Sequence, residues 1–390
     1  MYRDLVAPFS YVAPWKLQPL EQRIDALRRG RTRVAWLYEK PDTSTFRYRC
    51  FNPPATLSAE RPDIGCAWFE LADEAALWEI IPTLDVLVIA RVRYNRSLAR
   101  LIVRARAANV RILFDCDDLV FDTRHVHLLL DTLDQDTRPE AAWDTWFAMI
   151  GRIEATARLC DAGVTTNAFL AERLQQIVPG TVSVIPNYFE PDQESASRRL
   201  LDAKTKTGFS GDGRVTIGYF SGTPTHNRDL AVASPAIARL LAADPMVNLR
   251  IVGFLDKSGP LAAFPGRVEL VPLQDYLNLQ RVIAEVDINI APLQDNPFTN
   301  CKSELKFFEA AAVGVWTIAT PTYTFRNAIK DGETGRLARA HEWDACLAEA
   351  VALVRDPSRY KPIALATAEA AYLRYGWKNQ TEAIVKAVLS

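Results

Sequence analysis

The segment Asn296–Gly314, NPFTNCKSELKFFEAAAVG, carries residue types that suit the binding of a diphosphate. It follows an apolar stretch and passes from a polar loop into a helical pattern. The amino end of a helix presents unpaired N–H groups and the positive end of the helix dipole, which favour an anion. Lys302 and Lys306 add positive charge there. The residues of this loop that we expect at the ligand site are Lys302, Ser303, Glu304, Leu305 and Lys306.

Glu309 follows one helical turn later. An ionised carboxylate accepts hydrogen bonds through two oxygens, so it can bind two vicinal hydroxyls such as those of a ribose. The small residues from Ala310 to Gly314 allow the helix to pack closely on a sheet. The alternative is an ordinary amphipathic helix with solvated lysines and glutamates, and this segment alone favours neither interpretation.

The segment Gly218–Asp229, GYFSGTPTHNRD, provides a second loop between a strand and a helix. Gly222 allows the backbone to approach a ligand closely, and Arg228 can bind a phosphate through two parallel hydrogen bonds. His226 can bond to a phosphate or a sugar, and a solvated loop histidine is an equally good interpretation. A glycine-containing turn is a weak signal, because every Rossmann-like unit has one.

Short apolar runs alternate with helical patterns along the chain, which indicates parallel βαβ units with ligand sites at the carboxyl ends of the strands. The predicted helices of the first half are Leu20–Arg29, Ser97–Ala107 and Glu140–Cys160. Its predicted strands are Val34–Tyr38, Val86–Ala90, Arg111–Phe114, Gly163–Thr166 and Val182–Ile185. Those of the second half are Val215–Phe220, Leu249–Gly253, Val268–Val271, Asp287–Ala291 and Trp316–Thr320.

The chain has 390 residues, which suits two domains better than one hydrophobic core. We predict an α/β protein in which two Rossmann-like doubly wound domains, residues 1–190 and 214–362, face each other across a cleft. Residues 191–213, rich in Asp, Glu, Ser, Lys and Gly, are the predicted linker, with a helical turn or two at Ser195–Lys204. Residues 363–390 are predicted to form helices that pack back toward the N-terminal domain.

The amino-acid composition indicates which class of partner the protein can bind and in which cell compartment it resides. Lysine plus arginine (46) and aspartate plus glutamate (47) nearly cancel, so we expect no nucleic-acid partner. The six cysteines form no CxxC pair, which suits a reducing cytoplasm. No signal-peptide pattern or run of ~20 apolar residues is present, so we expect a cytoplasmic protein. The basic run Arg91–Arg106 either docks peripherally on anionic lipids at the inner face of the membrane or forms a solvated helix face.

Taken together, IGYFSGTPTHNRDL and the later NPFTNCKSELKFFEAAAVGVWTIATPTYTFRNAIKDGETGRLA resemble the donor-binding domain of the family 4 (group 1) glycosyltransferases. The resemblance covers roughly Val215 to Pro357 and is loose in the N-terminal half. It implies the B-type glycosyltransferase fold and a retaining transfer that needs no metal or other cofactor. It also implies that Glu309 is the second glutamate of the family's paired-glutamate motif, which binds the nucleotide ribose. Arg228 stands where the family has a phosphate-binding lysine.

Two positions depart from the family pattern. Cys301 stands where the first glutamate of the motif contacts the donor sugar, and Thr223 stands where a phosphate-binding arginine follows the loop glycine. The KSELKFFE form is similar to that of a subgroup of bacterial surface-polysaccharide transferases, so we interpret Cys301 as a subgroup trait.

The resemblance implies transfer of a hexose or deoxyhexose from a UDP-, GDP- or dTDP-sugar to a hydroxyl of a glycan or lipid-linked glycan, for example in lipopolysaccharide synthesis. Two alternatives stay open. One is a catalytically inactive partner that binds nucleotide, which Cys301 motivates. The other is a B-type nucleotide-sugar epimerase.

The acidic turn in RILFDCDD offers a different interpretation of the N-terminal half. Asp115 and Asp117 imitate the DxD element with which A-type glycosyltransferases hold a metal-bound diphosphate. The C-terminal motif is more specific, so we expect instead that Asp117 and Asp118 line the cleft and orient the acceptor hydroxyl. A helix cap is the simpler alternative. The predicted catalytic residues are Asp118, Arg228, Lys306 and Glu309.

Four further residues of the N-terminal half have side chains that can bind phosphate or sugar. Arg47 and Arg49, after the first predicted strand, can reach the phosphates or an anionic acceptor, although solvated arginines are the simpler interpretation. His125 and His127 follow the acidic turn and can contact a sugar, and a surface helix explains them equally well.

Overall fold

The computed structural model describes residues 2, 5–42, 44–222, 227–253 and 259–390. Two of the predicted donor-binding residues, Thr223 and His226, lie outside this described part. Within it, twelve strands form two six-stranded parallel sheets.

The first sheet belongs to the N-terminal domain. In chain order its strands are β1 (Thr32–Tyr38), β2 (Ile64–Glu70), β3 (Val86–Ala90), β4 (Arg111–Cys116), β5 (Ala162–Thr165) and β6 (Val182–Val184). Their spatial order is β2-β1-β3-β4-β5-β6, and all neighbours are parallel.

The second sheet belongs to the C-terminal domain. Its strands are β7 (Val215–Ser221), β8 (Val247–Gly253), β9 (Val268–Val271), β10 (Ile288–Ala291), β11 (Trp316–Ala319) and β12 (Arg336–Leu337). Their spatial order, β12-β11-β10-β7-β8-β9, is that of a doubly wound sheet, and the order reverses between β7 and β10. Ligands bind such sheets beyond the carboxyl ends of the strands at this reversal point.

Helices cover both sheets. Those of the N-terminal domain are α1 (Leu20–Arg29), α2 (Asn52–Glu60), α3 (Glu74–Ile80), α4 (Arg96–Ala107), α5 (Val126–Thr132), α6 (Glu140–Arg158) and α7 (Ala168–Leu174). Helix α8 (Pro191–Lys206) connects the domains. The C-terminal domain has α9 (Asn227–Ala231), α10 (Ser234–Ala243), α11 (Tyr276–Ala284), α12 (Pro297–Asn300), α13 (Leu305–Ala311), α14 (Tyr323–Ala328) and α15 (Trp343–Val354), and the chain ends with α16 (Pro357–Tyr375) and α17 (Thr381–Leu389).

Apolar patterning explains these elements. Every residue of β3 is buried, as expected for a parallel strand that has helices on both faces. In α4 the residues Leu98, Leu101, Ile102 and Ala105 are buried, at the spacing of one helix face. The side chain of Asn95 caps this helix by accepting a hydrogen bond from the amide of Leu98. None of the helices in the described part of the chain has the length and apolar character needed to cross a bilayer.

The segment predicted to be a mostly irregular linker is largely α-helical. Helix α8 has sixteen residues and packs against α11. Its buried face carries Gln193, Ser197 and Lys204 beside apolar residues, so polar composition conceals its helical periodicity. At the end of the chain α16 packs on α13, whereas α17 packs on α2, β3 and β6 of the N-terminal domain.

Candidate functional site

A cavity of about 320 Å³ opens between the two domains beyond the carboxyl ends of β7 and β10. This volume lies within the usual range for small-molecule sites. The polar residues that the N-terminal domain contributes are Ser44, Arg47, Tyr48, Asp117, Asp118 and Asn187. The C-terminal domain contributes an apolar wall of Phe220, Val252, Leu273, Tyr276, Leu279 and Ile283. It also contributes polar or charged residues, which are Ser221, Gln274, Asn289, Lys302, Ser303, Lys306 and Glu309.

Most of the predicted site residues line this cavity. They are Asp118, Gly222, Lys302, Ser303, Leu305, Lys306 and Glu309. Three others, Arg228, Cys301 and Glu304, are not part of its lining.

Local hydrogen bonds hold the loop that carries the lysines. Asn296 caps α12 by accepting a hydrogen bond from the amide of Thr299 (3.0 Å), and Pro297 stands at the first helical position. The hydroxyl of Thr324 donates to the carbonyl of Lys302 (2.8 Å). The side-chain amide of Asn289 donates to the carbonyl of Lys306 (2.9 Å). These bonds fix the backbone from which the charged side chains extend.

Lys306 and Ser303 present polar atoms that lack a partner. The Lys306 Nζ and Ser303 Oγ atoms are shielded from solvent, and neither has a hydrogen-bond partner among the described residues. Burial, helped by the charge of Lys302, lowers the pKa of Lys306 to about 8, whereas Asp229 and Glu309 act in the opposite direction. Because an unpaired buried charge is unfavourable, this arrangement suits an anionic ligand.

Lys302 and Asp118 face each other across the cleft. The Lys302 Nζ lies 3.6 Å from the Asp118 Oδ2 and 4.4 Å from the centre of the Phe298 ring. The Asp118 Oδ1 is buried and has no hydrogen-bond partner among the described residues. This oxygen can therefore accept a hydrogen bond from a ligand hydroxyl.

Glu309 is buried at the edge of the same cavity. Its Oε1 accepts hydrogen bonds from the Tyr48 hydroxyl (2.7 Å) and the Gln193 amide (3.0 Å). The same oxygen lies 3.8 Å from the Arg47 guanidinium. Burial raises the pKa of Glu309, and Arg47, Tyr48 and Gln193 partly oppose that shift.

Arg47 and Arg49 are both buried, unlike the solvated arginines that were the simpler expectation. Arg47 begins the π-helix Arg47–Phe51, a type of helix often found at functional sites. Its guanidinium lies 4.0 Å from the Tyr48 ring centre and 4.5 Å from that of Tyr276. No local sequence pattern points to Tyr48, Gln193 or Tyr276, because only the fold brings them to the cavity.

The two aspartates of the DxD-like turn bond to arginines. Arg49 donates to both oxygens of Asp115 (2.8 and 2.9 Å). Burial raises the pKa of Asp115 to about 6, although Arg49 lowers it. Asp117 accepts hydrogen bonds from Thr45 (2.9 Å) and Arg91 (3.1 Å). A metal ion would have to displace these bonds, so the geometry favours a structural role for Asp115 and a place in the cleft wall for Asp117.

Arg228 extends toward the N-terminal domain. Its Nε donates to the carboxylate of Asp134 (2.8 Å), and its Nη1 donates to the backbone carbonyl of Asp131 (2.8 Å) and to the carboxylate of that residue. The side chain is 42% exposed. To contact a phosphate in the cavity, Arg228 would have to leave this pair of aspartates.

Cys301 and Glu304 lie beside the cavity but point elsewhere. Cys301 is fully buried in an apolar cluster that is otherwise formed, apart from Phe298, by the N-terminal domain. Its carbonyl accepts a hydrogen bond from Asn167 (2.8 Å). Glu304 is buried and accepts a hydrogen bond from the Tyr375 hydroxyl (2.9 Å). Through these hydrogen bonds, Cys301 and Glu304 tie the loop between α12 and α13 to Asn167 and Tyr375.

The remaining basic residues that we singled out lie outside the cavity lining. His125 Nε2 is 3.8 Å from the Asp122 carboxylate. In α4 the guanidinium groups of Arg100 and Arg104 lie 5.2 and 5.0 Å from the Trp78 ring centre.

A larger cavity of about 510 Å³ lies in the N-terminal domain between α1 and α2. Of the predicted site residues that the structure describes, none lines it. Its buried cation, Arg23, is paired with Asp73 (2.7 Å). The interdomain cavity is therefore the better candidate for chemistry.

Known proteins resemble this chain in sequence and in fold. Residues 214–356 match the family described as "Glycosyl transferases group 1". Phosphatidyl-myo-inositol mannosyltransferase of Mycobacterium tuberculosis is 27% identical over 233 residues, and the match covers 56% of this chain. The match also covers 56% of the relative, so the chain spans about half the length of this curated protein.

Solved structures resemble most of the chain, across both domains. HepE of Anabaena, solved in complex with UDP and glucose, has a TM-score of 0.58 at 13% identity, and the match covers 90% of this chain and 98% of HepE. Sucrose-phosphate synthase of Thermosynechococcus elongatus has a TM-score of 0.58 at 15% identity, with coverage of 91% and 97%. At this identity the likeness concerns the fold. Residues 214–356 are thus similar to the group 1 glycosyltransferases, and the chain has the B-type glycosyltransferase fold.

Proposed function

We propose that this protein is a retaining, metal-independent glycosyltransferase. It transfers a hexose or deoxyhexose from a nucleoside diphosphate to a hydroxyl of a glycan or lipid-linked glycan in bacterial surface-polysaccharide synthesis. We place the reaction in the cytoplasm, with peripheral contact at the membrane where the acceptor is lipid-linked. The observation that carries the proposal is a pair of buried groups in the interdomain cavity, Lys306 Nζ and Ser303 Oγ, which have no hydrogen-bond partner within the part of the chain that the structure describes.

The main physical demand of this reaction is to stabilise the departing diphosphate. Lys306, Lys302 and the Ser303 hydroxyl can supply positive charge and a hydrogen bond from one side of the cavity. Glu309 serves the ribose, and Asp118 accepts a hydrogen bond from the reacting hydroxyl. The position of the cavity between the domains limits access of water to the donor.

The chemical step follows from the family resemblance. The bond from the anomeric carbon to the phosphate oxygen breaks while a bond to the acceptor oxygen forms on the same face. The acceptor proton passes to the departing phosphate. The residues of this chain bind and orient both partners, and no side chain needs to become covalently attached.

Thermal unfolding with UDP, GDP, dTDP and CMP compounds tests the proposal first, because a ligand that binds the native state raises its apparent stability. Product analysis of the sugar nucleotide of the best-binding base follows, with and without glycan acceptors. Transfer or donor hydrolysis supports the transferase. Binding without turnover indicates the inactive partner that Cys301 motivates. A changed sugar without acceptor indicates an epimerase, and an absence of nucleotide binding overturns the proposal.

A further inference from the structure

The hydrogen bonds to Glu309 fall on one of its two carboxylate oxygens. The Tyr48 hydroxyl and the Gln193 amide both donate to Oε1, at 2.7 and 3.0 Å. The Arg47 guanidinium also lies nearest to Oε1, at 3.8 Å. None of the hydrogen bonds within the described residues ends on Oε2. Glu309 also lines the cavity. The carboxylate is therefore held by one oxygen and can accept a hydrogen bond through the other.

The groups that hold Oε1 are themselves fixed. Gln193 is fully buried, and its side-chain carbonyl accepts a hydrogen bond from Arg47 Nη1 (2.9 Å), which orients its amide toward Glu309. The Arg47 guanidinium lies against the Tyr48 and Tyr276 rings. Rotation of the Gln193 amide would break both bonds, so its orientation is set by the network.

Three parts of the chain build this arrangement. Tyr48 comes from the π-helix of the N-terminal domain, Gln193 from the connecting helix α8, and Glu309 from α13 of the C-terminal domain. The orientation of the carboxylate thus depends on the relative position of the domains.

We propose that Tyr48 and Gln193 are positioning residues that orient the Glu309 carboxylate, so that Oε2 accepts a hydrogen bond from a ribose hydroxyl of the donor. The inference rests on the proposed function, because it takes the ligand to be a nucleoside diphosphate. A carboxylate held at one oxygen loses little rotational freedom when the ligand binds, and that preorganisation strengthens the bond.

The test compares nucleotides that differ only in the ribose. Isothermal titration of the wild-type protein with UDP, GDP, CDP and dTDP identifies the tightest ligand, which is then compared with its 2′,3′-dideoxy counterpart. A hydrogen bond to a charged group predicts a preference for the natural nucleotide of roughly tenfold or more. In Tyr48→Phe, which keeps the ring beside Arg47 and removes the donor, we expect this preference to fall to about threefold or less.

Tyr188→Phe is the matched control. Its hydroxyl is also buried but bonds to Thr56 (3.1 Å), and Tyr188 is not part of the cavity lining, so we expect its nucleotide preference to equal that of the wild type. Gln193→Met provides a second variant that removes the other donor, and the same fall in preference is expected. It decides the question if Tyr48→Phe does not fold.

The outcomes separate the two proposals. If the preference is unchanged in the folded variant, or if both nucleotides lose affinity equally, Tyr48 and Gln193 have a structural role only and the inference fails. If no nucleoside diphosphate binds the wild type, the proposed function fails and the inference fails with it. A selective loss for the nucleotide that has its ribose hydroxyls supports both.

Discussion

At the scale of single residues, the most informative feature of the site is a buried cation that has no hydrogen-bond partner among the described residues. Lys306 Nζ is shielded from solvent, and the nearest aromatic ring centre, that of Tyr219, is 4.7 Å away. A folded chain normally pairs such a group. Its position beside Ser303 and Lys302 supports the proposal that an anion completes the site.

Replacement of Lys306 should weaken nucleotide binding without lowering the stability of the folded protein. We expect Lys306→Met to lower the affinity for the nucleoside diphosphate roughly 10- to 100-fold, because a hydrogen bond to a charged group contributes about 1.5–3 kcal/mol. The melting temperature of the unliganded protein should stay the same or rise, since an unpaired buried charge is removed. Titration calorimetry and thermal denaturation measure the two effects. A variant with wild-type affinity would show that the phosphate binds elsewhere.

The pKa of Lys306 predicts how binding depends on pH. Burial lowers this pKa to about 8, so the side chain is increasingly neutral in the free protein above that pH. Binding of a diphosphate then requires uptake of a proton, and the affinity should fall by up to about tenfold for each further pH unit. Titrations between about pH 7 and 9.5 measure this slope. Lys306→Arg should bind with a flatter profile, because arginine stays charged throughout; an equal slope in both proteins would assign the titration to another group.

At the scale of elements, parallel strands were the easiest part to predict. Helices cover both faces of each sheet, so the strands are nearly continuous apolar runs, and the predicted Val86–Ala90 and Val268–Val271 coincide with β3 and β9. No strand was predicted at β2 or β12. Strand β2 contains Gly65 and Cys66 beside two aromatic residues and lacks the β-branched run typical of a strand, and β12 has two residues.

The residues of the candidate site likewise fall into those that the sequence predicts and those that it does not. Residues 302–309 form one local motif, so their types and spacing could indicate an anion and a ribose. Tyr48 and Gln193 come from elements 261 and 116 residues distant from Glu309 along the chain, and no period or motif links them to it. Sequence patterns describe how a segment folds locally, whereas the orientation of the Glu309 carboxylate is a property of the assembled domains.

The turn after β7 allows a test at the scale of one element. Gly222 lines the cavity, yet a Cβ atom added there would meet no other heavy atom within 4 Å among the described residues. We therefore expect Gly222→Ala to keep the melting temperature of the wild type. Because the new methyl group would occupy space that the ligand uses, nucleotide affinity should fall by about tenfold, as is typical of overpacking by 1–3 kcal/mol.

Gly266 provides the control for this prediction. A Cβ atom there also meets no described heavy atom within 4 Å, and Gly266 is not part of the cavity lining. Gly266→Ala should therefore change neither melting temperature nor affinity. If Gly222→Ala binds the nucleotide as tightly as Gly266→Ala does, the ligand does not approach the backbone of this turn.

At the scale of the whole molecule, the two domains are joined beside the interdomain cavity by an apolar contact and by charge. Phe298 and Cys301 of the C-terminal domain are buried in a cluster of the N-terminal domain. Nearby, Arg228 pairs with Asp131 and Asp134. An anion would leave the apolar contact unchanged. A diphosphate that binds Arg228, as we propose, would compete with the aspartates for its guanidinium.

This competition leads to a prediction about domain arrangement. If Arg228 leaves the aspartates to bind the donor, Asp131→Asn with Asp134→Asn should raise the nucleotide affinity, by about threefold to fivefold. This estimate follows because exposed ion pairs contribute about 0–1 kcal/mol each. The gain should shrink at high salt, which screens the competing pairs. Titration calorimetry at two ionic strengths measures the effect, and the melting temperature should change little.

Arg228→Ala, combined with the two aspartate substitutions, completes a mutant cycle that tests this competition. When the arginine is absent, neutralising the aspartates should have no further effect on affinity, because the competition acts only through that side chain. A gain that persists in the triple variant would mean that the aspartates repel the nucleotide directly across the cleft. If neither the double variant nor Arg228→Ala changes affinity, Arg228 serves only as a contact between the domains, and the diphosphate is held by Lys302, Ser303 and Lys306 without it.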